Sequence, residues 1–291
     1  MKYKPTSRKE LKDLVTDESI YLGNIDTSLI TDMSGLFEFF NRDNYEGIEN
    51  WDTSNVEDMS GMFTANRNFN KDISKWNVSK VKNMANMFFS AEKFNQPLND
   101  LDVSNVTNMN SMFMNAKSFN QPINNWNVSK VKNMDNMFHN ANSFNQDIND
   151  WNVSNVESMN HMFSSAHKFN HPLNNWDTKK VKRMSGMFSL AYAFNQNLDD
   201  WNIDNLSDMT NFNKDSALEL TPKFKTYLYA FTLDKKEKNN LNDFIKNNAK
   251  EVYKTIENNK NKKINLLKRY LINNFYNELK ELIPNYIESF N

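Results

Sequence analysis

The stretch Trp126-Asn-Val128-Ser129-Lys-Val131-Lys-Asn-Met134-Asp-Asn-Met137-Phe138, continuing through Ala141 to Phe144-Asn145, decides how this chain folds. It returns every 25 residues. Tryptophan stands at Trp51, Trp76, Trp126, Trp151, Trp176 and Trp201, and Leu101 fills the one remaining station. A fixed period of this length marks small units that stack on copies of themselves to bury a continuous core. Such arrays work through the exposed face that all repeats share, so the pattern points to binding rather than to a catalytic cleft.

Within one unit the apolar residues Leu98, Leu101 and Val103 have the LxxLxL spacing of a leucine-rich repeat, and their alternation with polar neighbours predicts a short strand. Val106, Met109, Met112, Phe113 and Ala116 then follow at helical spacing. Ser104 stands where it would cap that helix, and Ser54-x-x-Glu57 and Ser154-x-x-Glu157 read as capping boxes. Asn120-Gln-Pro122 closes the unit, since proline cannot continue a helix. The array starts at Leu22-x-x-Ile25-x-Thr27, which makes eight strand stations from Ile25 to Trp201. Ser7-x-x-Glu10 before Leu11, Leu14 and Val15 predicts a capped amphipathic helix over the open amino-terminal end.

The predicted fold is therefore an α/β solenoid, a right-handed, leucine-rich-repeat-like coil of strand–helix repeats over residues 22–212. A capping helix within 1–21 precedes it, and an all-α domain over 213–291 follows. Pro222, then Leu241, Phe244, Ile245, Ala249 and Val252, and the segment Ile264 to Leu282, predict three or four helices there.

Charge divides at the same place. Residues 213–291 carry 15 basic and 10 acidic groups, which leaves 20 basic and 26 acidic for residues 1–212. The whole chain has net charge −1, no cysteine, 5 Gly and 4 His. That composition supplies no overall drive toward nucleic acid and excludes cysteine-based metal and disulfide sites. No nucleophile–base pair, phosphate-cradling glycine loop or HExxH string occurs, so the chain is read as non-enzymatic and without cofactor. No apolar run is long enough to span a membrane, and the amino-terminal residues lack the apolar stretch of a signal peptide.

The candidate binding residues flank the Trp stations: Asp52, Asn77, Asp100, Asp102, Asn125, Asn127, Asp150, Asn152, Asn175 and Asp177. On a sheet they would form a polar, mildly acidic concave face that engages a protein or glycan. The bland alternative is a ladder that merely keeps the surface soluble. Asp100 with Asp102, or Asp150, Asp177 and Asp200, offer oxygen ligands for calcium, but no spacing matches a calcium loop. The methionine stripe (Met59, Met84, Met109, Met134, Met159, Met184, Met209) reads as core. His139, His161, His167 and His171 read as surface substitutions, because zinc needs converging imidazoles.

The string Trp-Asp/Asn-Val/Thr-Ser-x-Val-x-x-Met-x-x-Met-Phe, followed by Phe-Asn-Gln-x-Ile/Leu-Asn-x-Trp, resembles the BspA-like leucine-rich-repeat surface proteins. These carry the DUF285 or mycoplasma lipoprotein-associated repeat. The resemblance covers roughly residues 22–212. It implies a surface protein that adheres to host extracellular matrix or to another cell, and it brings no catalytic residues. The competing reading is an intracellular scaffold or translocated effector whose helical tail binds a separate partner.

Overall fold

The computed structural model describes residues 2–40, 42–220 and Phe224. The chain divides into two compact units, Met1–Ser207 with Asn211–Leu218, and Asp208–Thr210 with Glu219–Asn291. The all-α domain expected over 213–291 falls almost wholly on residues outside the described ones. Its described part is turns, bends and irregular chain over 213–220, and Phe224, which is helical.

The first unit opens with helix α1 (Arg8–Thr16). Ser7 caps it by accepting the Glu10 N–H at 3.2 Å, and the Glu10 carboxylate reaches back to the Thr6 N–H at 2.7 Å. The reciprocal cap thus closes one residue earlier than a capping box would. Leu11 and Val15 are buried beneath the helix. Past its carboxyl end, the buried Arg42 guanidinium donates to the carbonyls of Val15 (2.8 Å), Asp17 (2.9 Å), Glu18 (3.1 Å) and Ile20. A cation there satisfies carbonyls that a helix end leaves orphaned.

The expected strand–helix coil is corrected by the repeats themselves. Among the described residues up to 220, α1 is the one α-helix, joined by short 3-10 turns at Leu22–Asn24 and Ile48–Asn50. The Trp stations do not lie in strands, and the Met-x-x-Met-Phe segments are successive turns. Ser54, Ser104 and Ser154 cap nothing helical. The reason is the backbone. Two residues per repeat, four apart, adopt positive φ: Gly61 and Ala65, Asn86 and Ser90, Ser111 and Asn115, Asn136 and Asn140, His161 and Ser165, Gly186 and Leu190. Each left-handed residue interrupts the right-handed path that an α-helix needs. The first of each pair falls repeatedly on Gly or Asn, the types that tolerate this region.

These left-handed links turn alternate amides along the stack. The N–H of Met84 donates to Asn108 O (3.0 Å), Asn86 to Asn110 O (2.8 Å), Phe88 to Met112 O (2.9 Å) and Ser90 to Met114 O (2.7 Å), all in the next repeat. The amides between them close turns within the repeat, as Met87 to Met84 O (3.2 Å) and Phe89 to Asn86 O (3.0 Å). Each 25-residue repeat therefore forms one layer, sewn to its neighbours by main-chain bonds. Parallel bridges mark the seam, linking Asp32, Asp58, Asn83, Asn108, Asn133, Ser158 and Arg183 in turn.

The helical-looking spacing of Val, Met and Phe still buries those residues, because the tight turns send them all inward. Val81, Met84, Met87, Phe88, Ala91 and Phe94 are each 1% exposed or less. Phe63, Phe88, Phe113, Phe138, Phe163 and Phe188 stack through the layers with ring centroids 5.5–5.7 Å apart. A second column pairs with the first inside each layer, as Phe88 with Phe94 at 4.0 Å. Burying one such ring contributes about 1.5–3 kcal/mol.

Candidate ligand-binding face

Nine of the ten candidate residues are exposed, and Asp177 is half-buried. No sheet lies beneath them, because the parallel seam runs between the Val and Met positions rather than at Trp. The five residues that follow a Trp, with Asp102 after Leu101, are turn corners. The Oδ1 atoms of Asp52, Asn77, Asp102, Asn127 and Asn152 accept the N–H two residues on, at 2.9–3.2 Å. Asp177 does the same for Lys179, whose ammonium also approaches at 2.9 Å. Such Asx turns fix the local chain path. Hydrogen bonding to Ser54 holds the Asp52 carboxyl below its ordinary range, and the Lys179 side chain does so for Asp177.

The four candidates that precede a station are different. Asp100, Asn125, Asp150 and Asn175 occupy one position in four successive layers and point polar ends to solvent. Asn175 donates its amide to Asp150 at 3.1 Å, and its own N–H goes to Asn149 Oδ1 at 3.1 Å. These four form the part of the predicted face that is free to meet a ligand. Among the described residues no three His, Asp or Glu side chains converge on a point where a metal could bind.

Two rows escaped sequence reasoning. Asn70, Asn95, Asn120, Asn145 and Asn170 form a ladder in which each Oδ1 accepts the backbone N–H of the next, at 2.8–3.1 Å. Its signal was the Phe-Asn pair in every repeat, which sequence reasoning assigned to a turn. The second row alternates with a 50-residue period: Asn55, Lys80, Asn105, Lys130, Asn155, Lys180, Asn205. The lysine ammonium groups bond to the amide oxygens of Asn55, Asn105 and Asn155 at 2.6–2.7 Å. Two positions on, Lys82 pairs with Glu57 (2.7 Å) and Lys182 with Glu157 (2.8 Å). Each of these lysines holds its glutamate below the usual carboxylate range.

The histidines are less scattered than their sequence positions suggest. His139 and His161 meet edge to face, with centroids 6.3 Å apart. Nδ1 of His139 is buried without a partner. Burial, and then the His161 charge, lower the pKa of His139. His167 stacks on Tyr192 at 4.9 Å, and His171 Nε2 lies 3.2 Å from Asn145 O. No helix among the described residues is long and apolar enough to cross a membrane.

No curated protein and no solved structure matches the chain. A family model does, that of the Mycoplasma protein of unknown function, DUF285, over residues 10–125 and 118–224. The two matches together run through the layered repeats, from α1 past the last Trp station. A chain whose repeats carry this signature from end to end belongs to the DUF285 family.

Proposed function

We propose that the first unit is a non-enzymatic adhesion module, a repeat protein that engages a protein or glycan on a matrix or another cell. One observation carries the reading: Asp100, Asn125, Asp150 and Asn175 present the same kind of polar end at the same place in successive layers. A surface built this way offers weak contacts at a fixed interval, and a ligand that spans several layers binds through their sum. The family resemblance to surface proteins supports the same reading. Catalysis has no comparable support, since the sequence shows no nucleophile–base motif.

Labelling intact cells with a membrane-impermeant reagent tests the location. Modification of the protein on whole cells fits adhesion; protection until lysis favours the scaffold or effector reading. Solid-phase capture on immobilised extracellular matrix stripped of its acidic polysaccharides tests the face. The variant with Asp100, Asn125, Asp150 and Asn175 all changed to Ser should lose capture while keeping its melting temperature. Undiminished capture by that variant removes these residues from the site.

A further inference from the structure

The lysine rows are a surface that this function leaves unexplained. Lys80, Lys82, Lys130, Lys132, Lys180 and Lys182 are all exposed, and Glu57 and Glu157 are the acids on the same positions of neighbouring layers. Six lysines gather here against Glu57 and Glu157, with Asp52 beside Lys80 and Asp177 beside Lys180 at the edge of the strip, although residues 1–212 hold 20 basic and 26 acidic groups. Positive charge is thus segregated onto one strip of an otherwise acidic unit.

The strip has a built-in spacing. Lys80, Lys130 and Lys180 recur every second layer, and layers paired by main-chain bonds repeat at about 4.8 Å, so the charges stand roughly 10 Å apart. Each is laid over a neutral asparagine of the preceding layer, Asn55, Asn105 or Asn155. Those asparagines are pinned in turn, as Asn105 Nδ2 to Ser79 O at 2.7 Å and Asn155 Nδ2 to Ser129 O at 2.8 Å. Part of the ordering cost of binding is therefore met before a ligand arrives. At the last of these layers Glu157, Lys179, Lys180, Lys182, Asn205 and Ser207 line a shallow hollow.

We infer that this strip docks a linear acidic polysaccharide running along the stack. The inference rests on the adhesion reading but places a second contact on a different row of side chains. Sulfate or carboxylate groups on a sugar chain are sparse enough to meet one lysine every second layer. Asn55, Asn105 and Asn155 each keep one amide N–H and one oxygen lone pair beyond the bonds that pin them, and the Thr107 and Ser207 hydroxyls, which donate to Lys82 O and Lys182 O, can still accept from sugar hydroxyls. Nucleic acid fits less well. Along a duplex axis the phosphates of each strand recur about every 3.4 Å, so several would face the interleaved Glu57 and Glu157. Single strands also need aromatic platforms for their bases, and these rows hold no aromatic residue.

The test uses the full chain on immobilised heparan sulfate near physiological salt, with neutral dextran as the blank and single-stranded DNA as competitor. The parent should bind, and the Lys80→Gln/Lys130→Gln/Lys180→Gln variant should bind about ten-fold more weakly with a flatter salt dependence. Its melting temperature should not change. The variant with Asp100, Asn125, Asp150 and Asn175 changed to Ser should bind heparan sulfate like the parent. Equal binding by the triple lysine variant overturns the inference, as does displacement by DNA at equal charge concentration. A parent that ignores heparan sulfate also overturns it, yet leaves matrix capture by the Asp100–Asn175 row standing.

Discussion

The indole N–H of Trp151 donates to the carbonyl oxygen of Ile123, 28 residues earlier, at 3.0 Å. The same bond joins Trp126 to Leu98 (2.8 Å), Trp176 to Ile148 (3.0 Å) and Trp201 to Leu173 (2.7 Å). Each tryptophan therefore fills its own layer and ties a buried carbonyl of the previous one. Trp126→Ala should cost about 3–5 kcal/mol. Trp126→Phe, which keeps a ring but loses the donor, should cost about 1–2 kcal/mol. Urea denaturation of both variants checks the order, and an alanine variant as stable as the parent would remove the column from the core.

Leu101 is the gap in that column. Trp51 stacks on Trp76 at 6.5 Å and Trp126 on Trp151 at 6.3 Å, with Leu101 between the two pairs. By the spacing of the other bonds, an indole at 101 would address the Ile73 carbonyl. Leu101→Trp should stabilise the chain by about 1 kcal/mol, read as a higher denaturation midpoint. A lower midpoint would show that the layer around Leu101 has closed on the smaller side chain.

The methionine and phenylalanine positions were legible as core from sequence, because the hydrophobic period reports which residues point inward. The backbone that carries them was not. Spacings of 3, 3 and 1 suit a helix, and they suit equally a chain of three-residue turns that sends Met84, Met87 and Phe88 inward. The distinguishing signal was conformational: Gly35, Gly61, Asn86, Asn136 and Gly186 share one repeat position. The candidate face was half legible. Asp100 and Asn125 are exposed on one row, whereas Asp102 and Asn127 spend their side chains on turns. The meeting of His139 with His161 depends on layer offset, which pattern alone does not supply.

His139 makes stability depend on pH. Burial disfavours its imidazolium, so the folded chain binds that proton less tightly than the unfolded chain, where the pKa is about 6.5. Its contribution is complete above that value and is lost as pH falls toward the lowered folded pKa. Melting temperature should therefore decline below about pH 6.5, before the carboxylates titrate. His139→Met, which matches Met114 one layer earlier, should flatten that decline. An unchanged profile in the variant would assign the dependence elsewhere.

The left-handed links are the claim on which the layered architecture stands, and one pair of variants tests them. Asn136 has φ 57°, and it sits in the middle of the segment that sequence spacing reads as helix. In a left-handed position glycine is favoured over alanine by about 1 kcal/mol, and in a helix interior alanine is favoured by about the same amount. The measurement is the difference in unfolding free energy between Asn136→Gly and Asn136→Ala. The layered structure predicts that the glycine variant is the more stable of the two. A more stable alanine variant would contradict it and restore the helix.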